Sequence, residues 1–178
     1  LRCAAAGAAD VPAANKEAIM TMTDDDRNGA IIQALAKAYN MELETVMNYI
    51  AVSVNLDGVR AKHIKDELAA DVPTELGHAQ LLANRIKTIG GVVPSSLQLT
   101  MEQVAMQSPE DSTDITTVIN GVIAAEESAI AQYKKIIDLS SGFDPATEDL
   151  AITALGDEEE HRREFKGFLK EVEAGRLG

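Results

Sequence analysis

Two tetrapeptides decide the reading of this chain: Glu75-Leu76-Gly77-His78 and Glu158-Glu159-Glu160-His161. Each sets a carboxylate three positions before an imidazole. Residues three apart share a helix face, so each pair can direct both donors at one point. Upstream of each, the same order of residues recurs. Glu42 stands seven before Tyr49 and 33 before Glu75 (75 minus 42); Glu126 stands seven before Tyr133 and 32 before Glu158 (158 minus 126). The chain is an internal repeat of two similar halves.

The surrounding sequence is helical in period. Asp24-Asp25-Asp26 form an N-cap cluster, followed by Ile32, Leu35, Tyr39, Val46, Tyr49 and Val52 on one stripe, with an end expected near Asn55 to Gly58. A second helix is predicted from about Val59 to Ile89, carrying Leu68, Val72, Leu82 and Ile86 inward and stopped by Gly90-Gly91. Pro73 lies inside it and is expected to bend or split it just before Glu75.

Val92 to Thr113, with Pro94, Pro109 and several Ser and Thr, suits a long crossover holding a short helix over Met101 to Met106. The third helix is predicted from about Asp114 to Leu139 with Ile115, Ile119, Val122, Ile130, Tyr133 and Ile137 inward. The fourth runs from about Ala146 to Ala174, with Leu155, Phe165, Phe168 and Val172 inward. Four helices of nearly 30 residues would each span about 45 Å. The fold class is all-α, an antiparallel four-helix bundle with a long crossover between helices 2 and 3.

Composition agrees. Of 178 residues 46% are apolar, yet only three Phe, three Tyr and no Trp contribute, so Ala, Val, Ile, Leu and Met must fill the core. The formal charge of −13 speaks against a nucleic-acid partner, which needs clustered Lys and Arg, and suits attraction of cations. No apolar run approaches the roughly 20 residues of a membrane crossing. Residues 1–23, rich in Ala and without a basic and apolar leader pattern, read as a flexible N-terminal arm before a single domain over 24–175. The lone Cys3 fits a reducing, cytoplasmic setting.

The candidate ligands are Glu42, Glu75, His78, Glu126, Glu158 and His161, all on the apolar stripes. Burying six ionisable groups among aliphatic side chains is costly unless they are paired or hold metal. Four carboxylates balance two divalent cations, and hard oxygen with imidazole nitrogen suits iron or manganese rather than a structural zinc. On the third helix the stripe selects Glu126 over Glu127.

Tyr49 and Tyr133 either hydrogen-bond these carboxylates or simply pack. His63 reads as a surface residue, and Glu159 and Glu160 as solvated. Gly77, Gly121 and Gly156, inside helices, mark close contacts or access to the metals.

On these residues the chain resembles the ferritin-like superfamily, most closely bacterioferritin and the Dps-like di-iron ferritins. The likeness covers about Ile31 to Leu169, through Glu42-Leu43, Tyr49, Glu75-x-x-His78-Ala79, Arg85-Ile86 and Gly90-Gly91. It implies that Glu75 and Glu158 bridge two metals, with Glu42 and His78 terminal on one, Glu126 and His161 on the other.

It also implies a ferroxidase that oxidises Fe(II) with O2 or hydrogen peroxide at a two-iron site, for storage or detoxification, in a homo-oligomer. Leu76 stands where bacterioferritin has its haem-ligating Met, so no haem is expected. The chain ends 17 residues after His161 (178 minus 161), little room for the fifth helix of large cages, which leaves a dodecamer or smaller oligomer open. Rubrerythrin's rubredoxin iron would need paired Cys. A manganese catalase, a peroxidase or a di-iron oxygenase would use the same six ligands, and a substrate pocket beside the metals would favour the oxygenase. A non-enzymatic protein that only holds metal is the remaining alternative.

Overall fold

The computed structural model describes Ile19 and residues 21–175. Four long helices account for most of them: α1 (Asp24–Asn55), α2 (Ala61–Thr88), α3 (Ile115–Ser140) and α4 (Pro145–Glu173), with one 3-10 turn at Ser96–Gln98. Of the arm expected over residues 1–23, only Ile19 and residues 21–23 are described, and Ile19 packs against the core at the start of α1.

The helices begin where local chemistry places them. Thr23, one residue before the Asp run, caps α1 by accepting a hydrogen bond from the Asp26 amide, while Asp24, Asp25 and Asp26 fill the first turn, where negative charge meets the positive end of the helix dipole. Asp114 and Asp144 cap α3 and α4 in the same way, through the amides of Thr117 and Thr147. Pro145 takes the first position of α4, where a missing N–H costs nothing. Gly90, at φ +90°, ends α2 in the left-handed region.

Two expectations are corrected. Pro73 does not split α2, which runs unbroken through it. Pro73 and Ala69, whose carbonyl loses its partner, both lie on the exposed side, where water can satisfy it. Met101 to Met106 form no helix; the crossover is held by side chains of α1 instead. Asn40 bonds reciprocally with Thr100, buried Glu44 accepts the amides of Glu102 and Gln103 at 2.7 and 2.8 Å, and Asn55 donates to Ser108. These contacts advance along α1 as the crossover advances, so the two run parallel.

The topology follows. Asn28 near the start of α1 bonds to Ile89 past the end of α2, and Arg27 bonds to the carbonyl of Leu139 near the end of α3. The helices therefore run up, down, down and up, with α1 packed chiefly on α2 and α3 on α4. The core falls into two clusters. One holds Tyr49, Leu56, Ile64, Leu68, Ile119 and Phe165; the other holds Ile31, Leu35, Leu82, Ile86, Tyr133 and Ile136. On every helix the candidate ligands lie between the two.

Candidate metal centre

All six expected donors meet at this waist. Glu42, Glu75, Glu126 and Glu158 are at most 2% exposed and His78 is 6% exposed. One set of ligand atoms, from Glu42, Glu75, His78 and Glu158, lies mutually within 4.8 Å, as does a second from Glu75, Glu126, Glu158 and His161. Glu75 and Glu158 belong to both sets. Two neighbouring positions sharing two carboxylates is an arrangement that could hold a pair of cations.

The repeat explains how the sequence builds it. Tyr49 on α1 donates to Glu126 Oε1 on α3 at 2.5 Å, and Tyr133 on α3 donates to Glu42 Oε1 on α1. Each half supplies the phenol that orients the other half's carboxylate. Glu127, next to Glu126, is exposed and pairs with Lys166, as the helical phase predicts. His63 is likewise exposed, edge-on to Phe168. Gly121 sits under the crossover, where a Cβ would meet the Ala105 carbonyl oxygen at 2.6 Å, whereas Gly77 and Gly156 face open space.

Glu75 Oε1 and Oε2, His78 Nδ1, Glu158 Oε1 and His161 Nδ1 are buried and make no hydrogen bond. His78 Nδ1 is 3.1 Å from Glu158 Oε1, and His161 Nδ1 is 3.2 Å from Glu75 Oε1, close but unaligned. Five buried polar atoms without hydrogen-bond partners, converging from two helices, are costly in an apolar waist. Cations would satisfy them together, and the oxygen-rich donor set with imidazole nitrogen fits iron or manganese.

Electrostatics describe the centre when protons take the place of metal. Burial, reinforced by the charges of Glu158 and Glu75, pushes the Glu42 and Glu126 carboxyls well above the usual range, against the tyrosine hydrogen bonds. Burial would raise Glu75 and Glu158 as well, but the imidazoles beside them prevail and hold both low. Burial opposes charge on the histidines, yet the carboxylates of Glu158 and Glu75 override it, lifting His78 to about 10 and His161 to about 11. Without metal, the surroundings thus favour the proton on Glu42, Glu126 and both histidines and disfavour it on Glu75 and Glu158.

Two acids that the sequence did not single out face the outer nitrogens. Asp157 Oδ2 is 3.0 Å from His78 Nε2, and Asp71 Oδ1 is 4.0 Å from His161 Nε2. Asp71, four residues before Glu75 and so on its face of α2, was in principle legible. Asp157 was not, because its helical direction differs from that of Glu158 by about 100°. A cleft of about 220 Å³ reaches His78, Tyr133 and Asp157 from the surface, with Leu81, Leu82 and Leu150 on its walls.

Residues 32–174 match the family model of the ferritin-like domain. The DNA protection during starvation protein of Pyrococcus furiosus is 27% identical over 142 residues, 78% of this chain and 76% of that protein. A dodecameric thioferritin, the bacterioferritin-related protein of Bacteroides fragilis, superposes with a TM-score of 0.74 at 23% identity, covering 90% of this chain and 96% of that one. The bacterioferritin of Desulfovibrio desulfuricans, solved with its diiron site in different catalytic states, gives 0.74 at 19% identity over 88% and 87%.

Proposed function

Since the chain belongs to the ferritin-like domain family, we propose that it is a ferroxidase, binding two Fe(II) as substrate and passing their electrons to O2 or hydrogen peroxide. The observation that carries this reading is the pair of ligand sets sharing Glu75 and Glu158, with five buried donor atoms left without partners. In it, Glu75 and Glu158 bridge, Glu42 and His78 complete one position, and Glu126 and His161 the other.

The two Fe(II) together supply the two electrons that, with two protons, reduce O2 to hydrogen peroxide, or hydrogen peroxide to water. The chain's contribution is position and exclusion. Tyr49 and Tyr133, whose phenols burial and the nearby carboxylates keep protonated, hold Glu126 and Glu42 in register as hydrogen-bond donors. The two aliphatic clusters flank the waist, and the six donors would hold two metal ions side by side there. The likeness to a dodecameric protein supports a homo-oligomer for this chain as well.

The test is Fe(II) consumption under air by the full chain. Rapid formation of Fe(III) at two per chain, lost on Glu126→Ala, is the expected result; no oxidation above buffer would sink the ferroxidase. The cleft against His78 and Tyr133 favours a second reading, a di-metal oxygenase acting on a small substrate. An organic product formed with O2 and a reductant would decide for it.

A further inference from the structure

We infer that Asp157 is a positioning residue for His78 and that it makes the two metal positions unequal, the one built on His78 filling first. The inference rests on the two-metal reading above. His78 carries two ring nitrogens with separate fates. Nδ1 is buried, without a hydrogen bond, and points at Glu158 and Glu75; Nε2 meets Asp157 Oδ2 at 3.0 Å.

A carboxylate accepting the Nε2 proton fixes the tautomer, leaves the Nδ1 lone pair free for a cation and increases its basicity. The His78 ring also lies edge-on to Tyr133, with centroids 6.4 Å apart. Its orientation is therefore set from both sides before any metal arrives.

His161 has no equivalent. Aligning Glu75 with Glu158 puts Thr74 where the other half has Asp157, so the repeat is broken at this position. The acid facing His161 Nε2 is Asp71, at 4.0 Å, beyond hydrogen-bond reach. The two halves supply matching ligands but only one oriented imidazole. Asp157 itself is half exposed, on the wall of the cleft, so changing it removes no core packing.

Stepwise anaerobic titration of the full chain with Co(II), followed by the visible bands of the bound ion, separates the two positions. The expected result is two resolved affinities in the unaltered chain. Asp157→Ala should weaken the tighter one by about 10- to 100-fold, leaving the weaker one unchanged. Asp157→Glu should recover part of the loss, and Asp71→Ala should leave the tighter affinity alone. An Asp157→Ala chain that keeps its tighter affinity, or loses both equally, overturns this inference and leaves the ferroxidase reading standing. Absence of Co(II) binding in the unaltered chain overturns both. Two-step binding with the expected Asp157→Ala effect but without Fe(II) oxidation overturns the ferroxidase alone.

Discussion

Glu126 and Glu127 are neighbours in sequence and opposites in role. Glu126 is 2% exposed and receives the Tyr49 hydrogen bond; Glu127 faces solvent and an exposed lysine, a pairing worth little. Replacing Glu126 with Ala should remove one metal equivalent in an Fe(II) titration and most oxidation, whereas Glu127→Ala should be nearly silent. The reverse outcome would mean that α3 turns the other carboxylate toward the waist. Protons supply a second prediction at this scale. Glu42, Glu126, His78 and His161 all hold protons more tightly than usual without metal, and a ligand must shed its proton to bind. Metal binding should then release protons in mildly acid buffer, and affinity should rise with pH. Calorimetry in two buffers of different ionisation enthalpy counts them; release of fewer than one would contradict the assignment.

At the scale of the element, the sequence carried the helices and their order but not their fine phase. Ile31 and Ile136 are buried where the stripes predicted Ile32 and Ile137. Each is half of an Ile-Ile pair, and adjacent apolar residues let the stripe be drawn through either. The candidate ligands escaped this ambiguity, because the repeat fixes their helical phase twice. The crossover was legible only as a segment without period, since its order comes from Asn40, Glu44 and Asn48, polar residues of α1 whose partners lie more than fifty positions away. Gly121 is where the crossover rests on α3. Because the obstructing atom is a backbone oxygen, Gly121→Ala should cost about 1–3 kcal/mol, the range for overpacking. Urea unfolding of metal-free protein checks this, with Gly156→Ala, which meets nothing within 4 Å, as the control. Equal stability of the Gly121→Ala chain would contradict the close contact.

The whole molecule turns on an exchange of stability for chemistry. Two aliphatic clusters close the bundle above and below, and the waist between them gives up apolar packing to hold six ionisable groups. In the proposed reading, cations bound at the waist offset that cost. Four helices, two from each half, contribute to it, so the centre cannot assemble before the bundle does. The bundle and its six donors were readable because their spacing repeats across the halves; the unequal surroundings of the two histidines were not, because Asp157 acts from one half on the other. The −13 formal charge complements the same picture, drawing cations toward the chain. The most direct test of the central claim is anaerobic titration of metal-free protein with Fe(II), following bound metal per chain. Two shared ligand sets predict a break near two equivalents; a break at or below one would contradict the dinuclear centre.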